Sequence, residues 1–183
     1  MSQYRIAVIV GSLRKDSLNR KLAEAIVKLV PSEFTFQQVR IDDLPLYNQD
    51  DDMNQAESVK RLKGEIKNAQ GLLFVTPEYN RSIPGVLKNA IDHASRPYGQ
   101  NAWTGKTAGV LGASPGVIGT AAAQQHLRNV LAALNVHTLA QPEAFIHAND
   151  LLFDESGNIG ADRNKFLQNW MNRYAAWVKK HTA

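Results

Sequence analysis

The order of apolar runs along these 183 residues predicts an α/β fold, with three layers built around a five-stranded, doubly wound parallel sheet. Two observations carry that prediction. The apolar runs are short and mostly continuous rather than alternating, as in strands covered on both faces. Each is also followed by a segment of helical periodicity. Five such βα units, joined by right-handed crossovers, wind helices onto both sides of the sheet.

Tyr4–Val10 is the first run, rich in β-branched residues, and Leu22, Ile26 and Val30 mark the helix after it. Phe34–Arg40 alternates, with Phe34, Phe36 and Val39 near one side, and Val59, Leu62 and Ile66 mark the second helix. Gly71–Thr76 is a continuous run closed by Pro77, and Ile83, Val86, Leu87, Ala90 and Ile91 repeat at helical spacing. Thr107–Gly112 is the fourth strand, followed by a helix carrying Ala123, Leu127, Val130, Leu131 and Leu134. Val136–Ala140 is the fifth strand, and Phe166, Trp170, Tyr174 and Trp177 form the stripe of a last helix that packs on the core. Residues 41–54 and 141–161 remain as long loops.

A chain of this length fits one domain, 1–183, with one core, and it shows no repeat, low-complexity segment or linker. No apolar run approaches the roughly 18 residues of a membrane span. The start, MSQYRIAVIVG, has one Arg before its apolar run and no small-residue cleavage site, so it reads as a strand rather than a signal peptide. The absence of cysteine excludes disulfides, zinc–thiolate and iron–sulfur sites and a cysteine nucleophile, and fits a cytoplasmic protein. The net charge of +4 is spread over scattered lysines and arginines, without the block that marks a nucleic-acid tract. A small anionic ligand fits that charge better.

In doubly wound sheets ligands bind beyond the carboxyl ends of the strands, where strand order reverses. The segments after strands one, three and four therefore matter most. The first, GSLRKDSLN at residues 11–19, gathers Ser12, Ser17 and Asn19 as donors, with Arg14 as a planar fork for phosphate oxygens. The helix that follows adds unpaired N–H groups and the positive end of its dipole. Capping accounts for one such residue, not for all of them. Neither G-x-G-x-x-G nor G-x-x-x-x-G-K-[ST] is present, so the expected anion is a monophosphate.

The second segment, TPEYNRSIPG at residues 76–85, offers Asn80 and backbone N–H groups to the carbonyls and ring nitrogens of a flat heterocycle, with Tyr79 beside its face. The alternative is a turn in which Asn80 or Ser82 caps the next helix and Pro84 enters its first turn. The third, GASPG at residues 112–116, matches the G-x-S-x-G of a nucleophile elbow. Two facts oppose a hydrolase. Pro115 has no N–H to give an oxyanion hole, and helical periodicity begins only beyond Gly119. A glycine-bounded loop that lets backbone approach a ligand suits Ser114 better.

Together, GSLRKDSLNRKLA, TPEYNRSIPGVLKNAIDHASRP and GASPGVIGTAAAQQHLRNVL resemble the flavodoxin-like NADPH-dependent FMN reductases, a group that includes bacterial quinone and chromate reductases. The resemblance runs from about residue 4 to residue 145, with all three motifs in order. It implies a flavodoxin-like three-layer sandwich that binds FMN and takes NADPH or NADH as reductant. Ser12, Arg14, Ser17, Leu18 and Asn19 match the family's phosphate loop. Pro77, Glu78, Tyr79 and Asn80 match its isoalloxazine loop, and Ser114 and Gly116 match its third contact loop. Arg81 departs from the pattern, standing where the family often has an aromatic residue or histidine. It is either a fork for the 2′-phosphate of NADPH at the open face of the flavin or a solvated loop arginine.

The acid run Asp50–Asp52, with Asp42 and Asp43 nearby, lacks the spacing of a calcium loop and reads as solvated. The five histidines are scattered and read as non-catalytic. The expectation is thus an FMN enzyme that moves hydride from NAD(P)H to a quinone, free flavin or other small electrophile. The cofactor performs the chemistry, and no side chain is named as catalytic. No metal, nucleic acid or membrane partner is expected, and the resemblance implies a homodimer or homotetramer. The rival readings are an FMN electron carrier without its own NADPH site and a hydrolase acting through Ser114.

Overall fold

The structure is a computed structural model that describes residues 4–182. Its strands are β1 (Tyr4–Val10), β2 (Phe34–Gln38), β3 (Gly71–Val75), β4 (Thr107–Ser114), β5 (His137–Thr138) and β6 (Phe145–His147). Its helices are α1 (Leu18–Ile26), α2 (Glu57–Asn68), α3 (Gly85–Ser95), α4 (Ala121–Ala133) and α5 (Ala161–Thr182). All ladders are parallel and the strand order is β2-β1-β3-β4-β5. The chain therefore leaves β1 in one direction to form β2 and returns past it to form β3, which puts the reversal of order beside β1.

Each face of the sheet has its own apolar layer, because the buried side chains of a strand point alternately to the two sides. Ile6, Val8 and Val10 meet Leu22 and Ile26 of α1 and Trp170, Met171 and Tyr174 of α5. Ala7 and Ile9 meet Leu62 and Ile66 of α2, Leu87 and Ile91 of α3, and Leu127 and Leu131 of α4. Each fully buried Val, Leu, Ile or Met side chain among these contributes about 1.5–3 kcal/mol. The approach of α5 depends on Gly109, where a Cβ would stand 2.7 Å from Tyr174 Cδ2 and 2.8 Å from Trp170 Cη2. The Tyr174 hydroxyl donates to Leu72 O at 3.0 Å, and burial holds it well above its ordinary pKa.

Five expectations are corrected. The fifth strand is only His137–Thr138, and the sheet's fifth position is completed by β6, inside a segment read as loop. β5 pairs with Thr107–Ala108 and β6 with Gly112–Ser114. Between them the polar stretch at Gln141–Glu143 leaves the ladder, and Pro142 has no N–H to give it. β6 also carries β4 on to Ser114, past the expected end at Gly112. In α5 the buried stripe is Leu167, Trp170, Met171, Tyr174 and Val178, whereas Phe166 is 41% exposed. Helix α1 stops at Ile26, a single 3₁₀ turn follows at Val27–Leu29, and Val30 lies outside it. The acid run is not plain loop either. It forms a 3₁₀ turn, Gln49–Asn54, and burial together with Asp52 raises the pKa of the Tyr47 hydroxyl.

Candidate functional site

The loops after β1, β3 and β4 emerge together at the carboxyl edge of the sheet, next to the reversal of strand order. In the first loop, Ser17 is the N-cap of α1, and its Oγ accepts from the N–H of Arg20 at 3.2 Å. The first-turn N–H groups of Leu18 and Asn19 have no intrahelical acceptor, as at any helix start. Ser12 and Ser17 are buried, while Arg14 projects into solvent beside them. These are two hydroxyls, a helix start and a guanidinium in one loop, a donor set suited to a phosphate monoester.

Asn19 has a second task that the sequence did not disclose. Its Nδ2 donates to Ala113 O and its Oδ1 accepts from Ala113 N–H, each at 2.9 Å. The carboxamide thus ties the first loop to the end of β4, 94 residues away, and is 2% exposed. Asn19 is a clamp between two loops before it is a donor to any ligand.

The second loop is a hairpin. Tyr79 and Ser82 exchange both backbone hydrogen bonds at 3.0 Å, with Asn80 and Arg81 at φ of 51° and 66° between them. Two successive positive φ values define a type I′ turn. Neither Asn80 nor Ser82 caps α3, which starts behind Pro84 without a side-chain cap. The hairpin is fastened to α4 at two points. Glu78 Oε2 accepts from Ala123 N–H at 3.1 Å, placing a carboxylate at the positive end of that helix. Ser82 Oγ lies 2.9 Å from His126 Nδ1. Arg81 is 75% exposed, with one nitrogen 3.9 Å from Glu78 Oε1.

In the third loop, Ser114 ends β4 and its Oγ accepts from Gly116 N–H at 2.9 Å. The hydroxyl is turned onto its own loop, and among the described residues no histidine hydrogen-bonds it, which leaves a Ser–His nucleophile without support. Gly112 admits no side chain, since a Cβ there would sit 2.0 Å from Thr76 O. The start of the loop after β3 therefore lies in backbone contact with β4. Beyond them Val117 and Ile118 are 82% and 59% exposed.

Thus Asn19 joins the first loop to the third, and Glu78 joins the second to the helix that the third enters. Pro77, Tyr79, Asn80 and Gly116 line the same edge. The site has a buried, donor-rich end at the first loop and an open, partly apolar end at the hairpin. Two of the histidines read as non-catalytic stand beside these loops: His147, which β6 sets in register with Ser114, and His126 beneath the hairpin. The alternation Phe145-Ile146-His147 was the available signal for the former. No signal marked the latter.

The sequence profile of the family described as NADPH-dependent FMN reductase matches residues 4–150. A 2-hydroxy-1,4-benzoquinone reductase of a Burkholderia species is 53% identical over 176 residues, covering 96% of each chain. A quinone reductase of Pseudomonas putida is 48% identical over the full length of both chains. Among solved structures, the flavoenzyme NAD(P)H:(acceptor) oxidoreductase FerB of Paracoccus denitrificans superposes with a TM-score of 0.93 at 46% identity, covering 97% of this chain and 98% of its own.

Proposed function

The chain belongs to the NADPH-dependent FMN reductase family, and from that premise we propose that it is an FMN-dependent, NAD(P)H-driven reductase of quinones and similar small electrophiles. The observation that carries the proposal is the joining of three loops at the reversal of strand order, with buried donors at one end and an open wall at the other. Bound FMN would supply the chemistry, hydride transfer between nicotinamide and acceptor. The protein's part is to hold and to orient. Ser12, Arg14, Ser17 and the first-turn N–H groups of Leu18 and Asn19 hold the phosphate. Pro77, Glu78, Tyr79 and Asn80 on one side, and Ser114 and Gly116 on the other, border the ring. Arg81 adds a positive field at the open face, where reductant and acceptor alternate.

Among the described residues no helix is long and apolar enough to cross a membrane. The lack of cysteine supports a cytoplasmic setting, and the exposed Val117 and Ile118 beside the site support burial against a second copy in a homodimer or homotetramer. The test is the visible spectrum of the purified protein before and after anaerobic NADPH. A yellow protein bleached by NADPH and recoloured by a quinone is expected. A colourless protein that binds no added FMN overturns the reading. A yellow protein that NADPH leaves unbleached is an electron carrier.

A further inference from the structure

A cleft of about 310 Å³ opens at the carboxyl ends of β1 and β2, bordering the first loop at Ser12 and Leu13. Ser12, Leu13, Arg20, Gln38, Arg40 and Asp42 form most of its wall. The lining carries two guanidinium groups against one carboxylate. Arg40 is already engaged, its Nε and Nη2 each donating to Asp42 at 3.1 Å. Arg20 is not. Its Nε is withdrawn from water without a hydrogen-bond partner, and among the described residues no carboxylate lies within ion-pair distance of its side chain. The Arg20 guanidinium therefore borders the cleft with its charge uncompensated, and an anion in the cleft would supply the missing counter-charge.

We propose that this cleft receives the 2′-phosphate of NADPH, and that Arg20 is the residue that separates NADPH from NADH. The inference rests on the reading that NAD(P)H is the reductant. Three considerations favour this ligand. In doubly wound sheets that carry the dinucleotide fingerprint, which this chain lacks, an arginine near the end of the second strand accommodates a 2′-phosphate, and the two guanidinium groups here stand at the corresponding place on the sheet. The lateral distance from β2 to β4 is three strand spacings, on the order of 14 Å, which a dinucleotide lying across the loops can span. The remaining candidate for that phosphate, Arg81, is 75% exposed and shares its charge with Glu78. A contact made there is screened by water and salt, whereas one made by partly buried, unshared Arg20 is screened less.

Arg20→Gln tests the proposal in the holoenzyme, because the N-cap bond uses the backbone N–H of residue 20 and survives the change. The KM for NADPH should rise roughly tenfold or more, as expected for loss of a charge-assisted hydrogen bond, while that for NADH stays within about twofold. Arg20→Lys should recover part of the loss. Calorimetric titration with 2′,5′-ADP against ADP gives a readout independent of turnover. The wild type should bind the 2′-phosphorylated compound more tightly, and Arg20→Gln should bind the two alike. Equal shifts for both nucleotides, no shift, or no preference for 2′,5′-ADP in the wild type overturn the proposal. So does a fall in FMN affinity with unchanged nucleotide selectivity, which would assign the cleft to the flavin phosphate. A wild type that oxidises neither nucleotide refutes the reductase reading, and the 2′,5′-ADP titration still decides the cleft.

Discussion

The loops after β1 and β3 face the same edge of the sheet but are made in opposite ways. In the first, Ser12, Ser17 and Asn19 are all at most 5% exposed, and the loop is clamped through a side chain to the backbone of a distant strand. The second stands off as a hairpin. Its tip, Asn80–Arg81, is exposed and held at positive φ, and among the described residues the Glu78 and Ser82 side chains fasten it to α4. Under the proposed roles the contrast has a physical sense. A resident cofactor is retained by donors that are already ordered and desolvated when it arrives, so little entropy is lost on binding. A face visited in turn by two substrates needs an open wall that neither of them must displace.

The comparison is broken most forcefully at Asn19. Asn19→Ala leaves the N–H and C=O of Ala113 buried without their partners, at about 1–3 kcal/mol each. A loss of about 2–5 kcal/mol in unfolding free energy is expected by urea denaturation, with a parallel loss of FMN affinity as the first loop drifts from β4. A loss below about 0.5 kcal/mol would mean that the loops are set independently and that the clamp has no structural weight.

Arg14→Ala separates holding from folding within the same loop. Its side chain is exposed and makes no ion pair among the described residues, so stability should stay within about 0.5 kcal/mol. The dissociation constant for FMN should nevertheless rise roughly ten- to hundredfold, the equivalent of one charge-assisted hydrogen bond. Flavin titration of the apoprotein measures this, and an unchanged constant removes Arg14 from the site.

What the sequence made legible was periodic or local. The continuous apolar strands and the helical spacing of Leu62 and Ile66, or of Leu127 and Leu131, are local patterns, and they sufficed for the layers and for a doubly wound parallel sheet. The three loops were legible because hydroxyls, glycines and an arginine crowd where strands end. What escaped depends on contacts between distant residues. The clamp from Asn19 to Ala113 and the cap from Glu78 to Ala123 exist only once the sheet has formed. β6 is three residues long and pairs through a ladder that Pro142 interrupts, so it is too short to show a period. Arg20 carries no local signal in the sequence, and only the end of β2 beside it makes a cleft. The turn at Asn80–Arg81 was hidden for a different reason. Type I′ turns announce themselves by Asn-Gly, and arginine in the second position is against the rule.

That exception gives the smallest expected effect and the sharpest one. A residue other than glycine in the left-handed region carries about 1–2 kcal/mol of strain, while glycine returns part of any gain as unfolded-chain entropy, about 0.4–1 kcal/mol. Arg81→Gly should therefore stabilise the protein by about 0.5–1 kcal/mol, a rise of roughly 1–4 °C in Tm for a chain of this size. The ion pair with Glu78, at 3.9 Å and with Arg81 75% exposed, offsets little of this, since such pairs contribute close to nothing. Arg81→Ala keeps the strained backbone and removes the same charge, so its Tm should not rise. The two variants should behave alike in kinetics: the KM for a negatively charged quinone rises several-fold, that for a neutral quinone barely moves, and added salt narrows the difference. If Tm falls in Arg81→Gly, the tether to Glu78 outweighs the strain, and the hairpin is held more like the first loop than its exposure suggests. If the two quinones shift together, Arg81 acts through the shape of the turn and not through its charge.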